Sequence, residues 1–164
     1  MDKQFDGTKF FKMMADNEKA VAALYRQFAG NAKVGGQFFE KLAKDEDRHF
    51  EIYTSLLKKH SNDKGLLVEV SDDQEKYLNL LIENNMLKNA DEMLAKTAKI
   101  TEKDEFYELA ERAERDSVLF VDELISLFPQ LQSEDFRTVL KEEKDHLSQV
   151  LSRRVESKLT SLRL

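Results

Sequence analysis

The chain has 164 residues, no cysteine, one proline and five glycines, with 35% charged residues and a net charge of −6. The missing cysteines exclude disulfides, thiolate catalysis, cysteine-ligated zinc and iron–sulfur clusters. The acidic balance argues against nucleic acid or a membrane surface as partner.

The length predicts one domain over 1–164, and the scarcity of proline and glycine favours long helices. No apolar run approaches a membrane span, and residues 1–10 lack a signal-peptide core, so a cytoplasmic protein is the expectation.

Apolar residues recur at helical spacing in four long segments. The first spans about 8–29, with Thr8 as its expected N-cap, and its stripe includes Phe11, Met14, Val21, Tyr25 and Phe28. Gly30 and Asn31 stop it. The second spans about 34–60, with Phe38, Phe39, Leu42, Phe50 and Tyr53 facing inward, and residues 61–65 end it.

Residues 61–100 form a crossover, within which 72–87 and 91–99 read as shorter helices. Its Leu66, Leu67 and Val68 have no assigned partner: they could pack on the bundle or on another subunit. The third long helix spans about 101–128; Thr101 and Asp104 loosely resemble a capping box, and Pro129 ends it for want of an N–H. The fourth spans about 133–157, with Ser133 as its expected cap and a stripe through Phe136, Val139, Leu140, Leu147 and Val150. Arg153, Arg154, Lys158 and Arg163 near its end read as a solvated face.

One arrangement occurs twice on these helices: a glutamate, then a Glu-x-x-His almost thirty residues later. Glu18 precedes Glu46 and His49, and Glu114 precedes Glu143 and His146, the leading interval being 28 positions in one half and 29 in the other. Each of these glutamates interrupts an apolar stripe. Residues three apart share a helix face, so each Glu-x-x-His presents both groups to one point. Counted back to the turns near Ala32 and Pro129, all four glutamates stand roughly 21 Å along their helices, at one level. A core layer of four carboxylates and two imidazoles is costly unless compensated, and two divalent cations would compensate it. One glutamate from each of four helices, two of them in Glu-x-x-His, is the ligand set described for di-iron and di-manganese bundles. Short, long and short connections suggest two antiparallel helical hairpins joined by a long helical crossover, an all-α ferritin-like four-helix bundle.

The donors narrow the metal. Carboxylate oxygen with some imidazole and no sulfur suits two iron ions, with manganese as alternative, and zinc could enter the site in vitro. Against this stands the bland reading, since Glu-x-x-His alone is a weak motif and helical glutamates are usually solvated. Glu111, one turn before Glu114, is a candidate seventh carboxylate. Tyr25 and Tyr53 could touch a carboxylate ligand, although a satisfied core hydroxyl is the more common role. His60, with no glutamate three before it, reads as a surface or capping residue.

The stretches 18–26 (EKAVAALYR), 45–53 (DEDRHFEIY), 114–120 (ERDSVLF) and 142–147 (EEKDHL) carry a family likeness. The chain resembles the rubrerythrin-like branch of the ferritin-like superfamily. The resemblance implies metal ligands at Glu18, Glu46, His49, Glu114, Glu143 and His146, with Asp45 and Glu142 orienting the histidine of the opposite hairpin or else simply solvated. The chain departs from the family in three places. No rubredoxin module is present, so a separate electron-donor protein is implied. Ser117 stands where peroxide-reducing members carry a further glutamate, and Val121 where related sequences often carry tyrosine.

Three functions follow in order: an oxidative-stress oxidoreductase reacting with O2 or H2O2; a ferroxidase or iron-storage protein using the same six ligands; and a metal-free helical scaffold or partner-binding module. A homodimer is compatible with each.

Overall fold

The computed structural model describes residues 3–34, 36–60, 62, 66–131 and 134–162. They are mostly helical, with one small sheet. Strand β1 (Lys3–Asp6) leads into α1 (Gly7–Ala29), and α2 (Gly36–His60) runs back along it. Strand β2 (Leu67–Val70), α3 (Asp72–Glu83) and α4 (Ala90–Thr97) form the crossover. Helix α5 (Lys103–Leu127), a 3-10 turn (Pro129–Leu131) and α6 (Glu134–Leu162) complete the chain, with α6 packed along α5.

The two strands correct the all-helical expectation. β1 pairs with β2 antiparallel, Phe5 opposite Val68 and Lys3 opposite Val70. Phe5, Leu66 and Val70 are buried and Val68 packs on the same core, which settles Leu66 and Val68 on the bundle, while Leu67 is exposed. With only four residues per strand, the period-two alternation was too short to compete with helical spacing.

Helix starts also differ in detail. The cap of α1 is Asp6, whose carboxylate accepts from the Thr8 backbone N–H at 3.0 Å, so Thr8 lies inside the helix. Helix α5 begins after Glu102 with no side-chain cap, so Thr101 and Asp104 form no capping box. A full capping box instead starts α3, where Ser71 and Gln74 exchange side-chain-to-backbone bonds of 3.2 and 3.0 Å. The Ser133 cap, Gln132, Arg163 and most of the 61–65 stop lie outside the described residues.

The crossover packs along α1. Gln27 donates to the Leu94 carbonyl at 3.1 Å and to Thr97 Oγ1 at 2.7 Å, and Asn85 donates to Asn17 at 2.6 Å. Arg153 and Arg154, two of the basic residues expected on a solvated face, are engaged. Arg154 bonds Asp104, Glu108 and Glu111 on α5, and the Arg153 guanidinium lies 4.0 Å from the Phe38 ring centroid.

The core divides into two apolar clusters. One holds Phe10, Phe11, Met14, Tyr53, Phe120, Leu124, Phe128, Phe136 and Val139. The other holds Leu24, Tyr25, Phe28, Phe39, Leu42, Phe106, Ala110 and Val150. Phe28 packs edge-on against Phe39 and Phe106 at 5.2 and 4.9 Å, contacts worth roughly 0.5–1.5 kcal/mol each. Along each long helix the membership switches from one cluster to the other: between Ala15 and Ala20, Ala43 and Tyr53, Ala113 and Phe120, Val139 and Val150. A polar layer fills those four gaps.

Candidate metal centre

The gaps contain Glu18 on α1, Glu46 and His49 on α2, Glu114 on α5, and Glu143 and His146 on α6, all at most 3% exposed. The structure gathers them into two groups, each able to hold a metal ion. Glu18, Glu46, His49 and Glu143 form one, and Glu46, Glu114, Glu143 and His146 the other; within each, ligand atoms lie within 4.8 Å of one another. Glu46 and Glu143 belong to both.

Each histidine turns Nδ1 toward the layer. His49 Nδ1 lies 3.0 Å from Glu46 Oε2 and 2.9 Å from Glu143 Oε1, and His146 Nδ1 lies 3.0 Å from Glu46 Oε1. The rings face each other with centroids 5.9 Å apart. The outer nitrogens cross between hairpins: His49 Nε2 is 2.7 Å from Glu142 and His146 Nε2 is 3.2 Å from Asp45. An acceptor on the outer nitrogen keeps its proton there and leaves the inner nitrogen as donor to a metal.

The sequence reading gave Arg48 no role. Its guanidinium bonds Glu142 at 2.9 Å and Asp45 at 3.1 Å, joining both histidine acceptors through one cation. The signal was its place in DEDRH, one residue before His49. Tyr25 donates a short hydrogen bond to Glu114 Oε1. Tyr53 is fully buried, and its hydroxyl has no hydrogen-bond partner among the described residues. Glu111 is not gathered in: it bonds Arg115 and Arg154, at 3.0 and 2.7 Å. His60 sits in the last turn of α2, in neither group. Ser117 is buried one turn beyond Glu114.

The electrostatics show what the layer does when left to itself. Burial, together with Glu143 and Glu46, holds the Glu18 carboxyl well above the usual range; burial and Glu46 do the same for Glu114. Burial opposes charge on Glu143, yet the neighbouring imidazoles of His146 and His49 outweigh it and bring it down to about 2. Burial likewise opposes charge on the imidazoles, but the carboxylates win. Glu143 and Glu46 push His49 up to about 12, and Glu114, Glu143 and Glu46 raise His146 further.

That arrangement leaves hydrogen-bonding capacity unused. Among the described residues, the buried side-chain atoms without a hydrogen-bond partner are Glu18 Oε2, Glu46 Oε1, Glu114 Oε2, both Glu143 oxygens, His146 Nδ1 and the Tyr53 hydroxyl. All but the last sit on the six residues of the two groups. Buried polar atoms in native proteins are nearly always satisfied. Carboxylate oxygens that converge, stay buried and lack donors fit cations, so the residues present suit a metal.

The chain matches no protein-family model, no curated protein and no solved structure. The reading of the site therefore stands on its geometry. Among the described residues, no helix is long and apolar enough to cross a membrane.

Proposed function

We propose that this chain is a ferritin-like carboxylate protein that holds two iron ions, with manganese as alternative, and acts as an oxidoreductase on O2 or peroxide. The supporting observation is that Glu46 and Glu143 belong to both metal groups, the arrangement expected of carboxylates that bridge a pair. Glu18 with His49, and Glu114 with His146, would be terminal ligands, one pair to each ion. Such a pair supplies the electrons and Lewis acidity for reducing an oxidant.

The remaining residues act on the ligands. Glu142 and Asp45 hold the histidine rings, Arg48 holds Glu142 and Asp45, and Tyr25 holds Glu114. The apolar clusters on both sides keep bulk water from the layer. With no cysteine the chain holds no iron–sulfur or rubredoxin-type centre beside the pair, and electrons to re-reduce the pair would come from a separate donor protein.

The test is metal content after purification without chelator, then absorption on adding Fe(II) and air. Two metals per chain with a near-ultraviolet oxo-bridged iron band is expected, as is peroxide consumption faster than in the Glu46→Ala, Glu143→Ala double variant. No metal uptake, or equal rates, would overturn the reading and leave the helical scaffold.

Ser117 favours ferroxidase chemistry as the second reading, because it places a hydroxyl where peroxide-reducing relatives carry a further carboxylate. Oxidation of Fe(II) by O2 without peroxide turnover would select it, and storage would further require a closed cage in sedimentation.

A further inference from the structure

Granting the two-ion reading, we propose that a small anionic or oxygen ligand of the pair binds on the Glu18–His49 side, where the Tyr53 hydroxyl donates a hydrogen bond to it.

Two phenols approach the ligand layer from opposite clusters, Tyr25 from one and Tyr53 from the other, and both are fully buried. They are not equivalent. The Tyr25 hydroxyl is already engaged by Glu114 Oε1, so the Glu114–His146 side is closed by a protein donor. The Tyr53 hydroxyl has no partner among the described residues, and it is the one unpartnered buried side-chain atom outside the six ligand residues. Native proteins rarely leave such a group unsatisfied.

Tyr53 lies one turn beyond His49 on α2 and is fully buried, its ring beside Phe136 with centroids 6.4 Å apart, so its hydroxyl is shut off from solvent. After burial, the charges felt at Tyr53 are those of Glu18, Glu143 and Glu46, the three carboxylates of one group. Those felt at Tyr25 are Glu114, Glu46 and Glu143, the three of the other. Each therefore serves one group, and only Tyr53 has a proton to offer an incoming acceptor.

The experiment uses sodium azide as the probe, titrated into Fe(III)-loaded wild type, Tyr53→Phe and Tyr107→Phe and followed by azide-to-iron charge-transfer absorption. Tyr53→Phe is expected to keep two ions per chain and to weaken azide affinity about tenfold, the loss of one hydrogen bond. Tyr107→Phe removes a buried phenol that bonds the Val34 carbonyl at 3.3 Å rather than a ligand, and is expected to leave azide affinity within about twofold. Equal azide affinity in wild type and Tyr53→Phe, or a larger loss in Tyr107→Phe, would overturn the assignment. A chain that takes up no metal at all fails before azide is added, and that result overturns the two-ion reading itself.

Discussion

The outer nitrogen of His49 lies 2.7 Å from a carboxylate oxygen of Glu142, which belongs to the opposite hairpin. The reciprocal pair, His146 with Asp45, spans 3.2 Å. Each Glu-x-x-His is thus oriented by the residue immediately before the other's glutamate. Replacing Asp45 with Asn or Glu142 with Gln is expected to weaken metal binding roughly 10- to 100-fold, as outer partners of ligating histidines do. Competition with a coloured chelator measures this, and an unchanged affinity in both variants would remove the orienting role.

The sharing of Glu46 and Glu143 predicts unequal losses among the carboxylates. Glu18→Ala should leave one ion per chain, because Glu46, Glu114, Glu143 and His146 remain. Glu46→Ala should leave fewer than one, because both groups lose a ligand. Metal analysis of the two purified variants decides it; equal stoichiometry would argue against bridging.

Metal loading should release protons. Ligand imidazole must be neutral and ligand carboxylate ionised, whereas without ions both histidines and both Glu18 and Glu114 are raised. Affinity therefore climbs with pH. Titration calorimetry near pH 7, repeated in buffers of different ionisation enthalpy, should give a heat that depends on the buffer.

Stability without metal should follow a matching profile. His49, raised from 6.5 to about 12, stabilises fully below pH 6.5 and loses that contribution as pH rises toward 12. Glu143, lowered from 4.5 to about 2, stabilises above pH 4.5 and loses that as pH falls toward 2. Glu18 and Glu114 act in the opposite sense, since a raised carboxyl costs stability as pH climbs above 4.5. Urea unfolding of chelator-treated protein should place its stability optimum on the acid side of that of the loaded protein.

Glu111 offers a control. Both its oxygens are engaged by arginines, so Glu111→Gln should leave metal stoichiometry unchanged and cost about 0.5–1 kcal/mol of stability, within the range for half-exposed ion pairs. Loss of an ion in that variant would make Glu111 a ligand after all.

The gathering of the site was legible because its six residues interrupt apolar stripes that already defined four helices, and helical spacing converts sequence intervals into height. The four long helices start within two residues of their expected positions, Gly36 rather than 34 and Lys103 rather than 101, and α6 runs on past 157 to Leu162. What the sequence concealed depends on distant partners. Asp6 outcompetes Thr8 as a cap only once β1 fixes the chain's entry into the helix. Arg154 reads as solvent-facing until α5 brings three carboxylates beside it. The matched interval already favours Glu114 over Glu111, and Arg115 and Arg154 engage Glu111 away from the layer.

The β1–β2 pair gives the two long-helix hairpins different fates. It zips the open end of the α1–α2 hairpin, so that segment is a closed ring of chain, turned at one end and sewn at the other. Helix α1 buries thirteen residues within that ring, whereas α6 buries five and carries Val155, Leu159 and Leu162 exposed beyond Arg154. Opening of a native protein starts where burial is least. Amide hydrogens in the last turns of α6 should exchange first and those of central α1 last, so Glu143 and His146 stand on the half of the site that can yield while Glu18 stands on the half that holds.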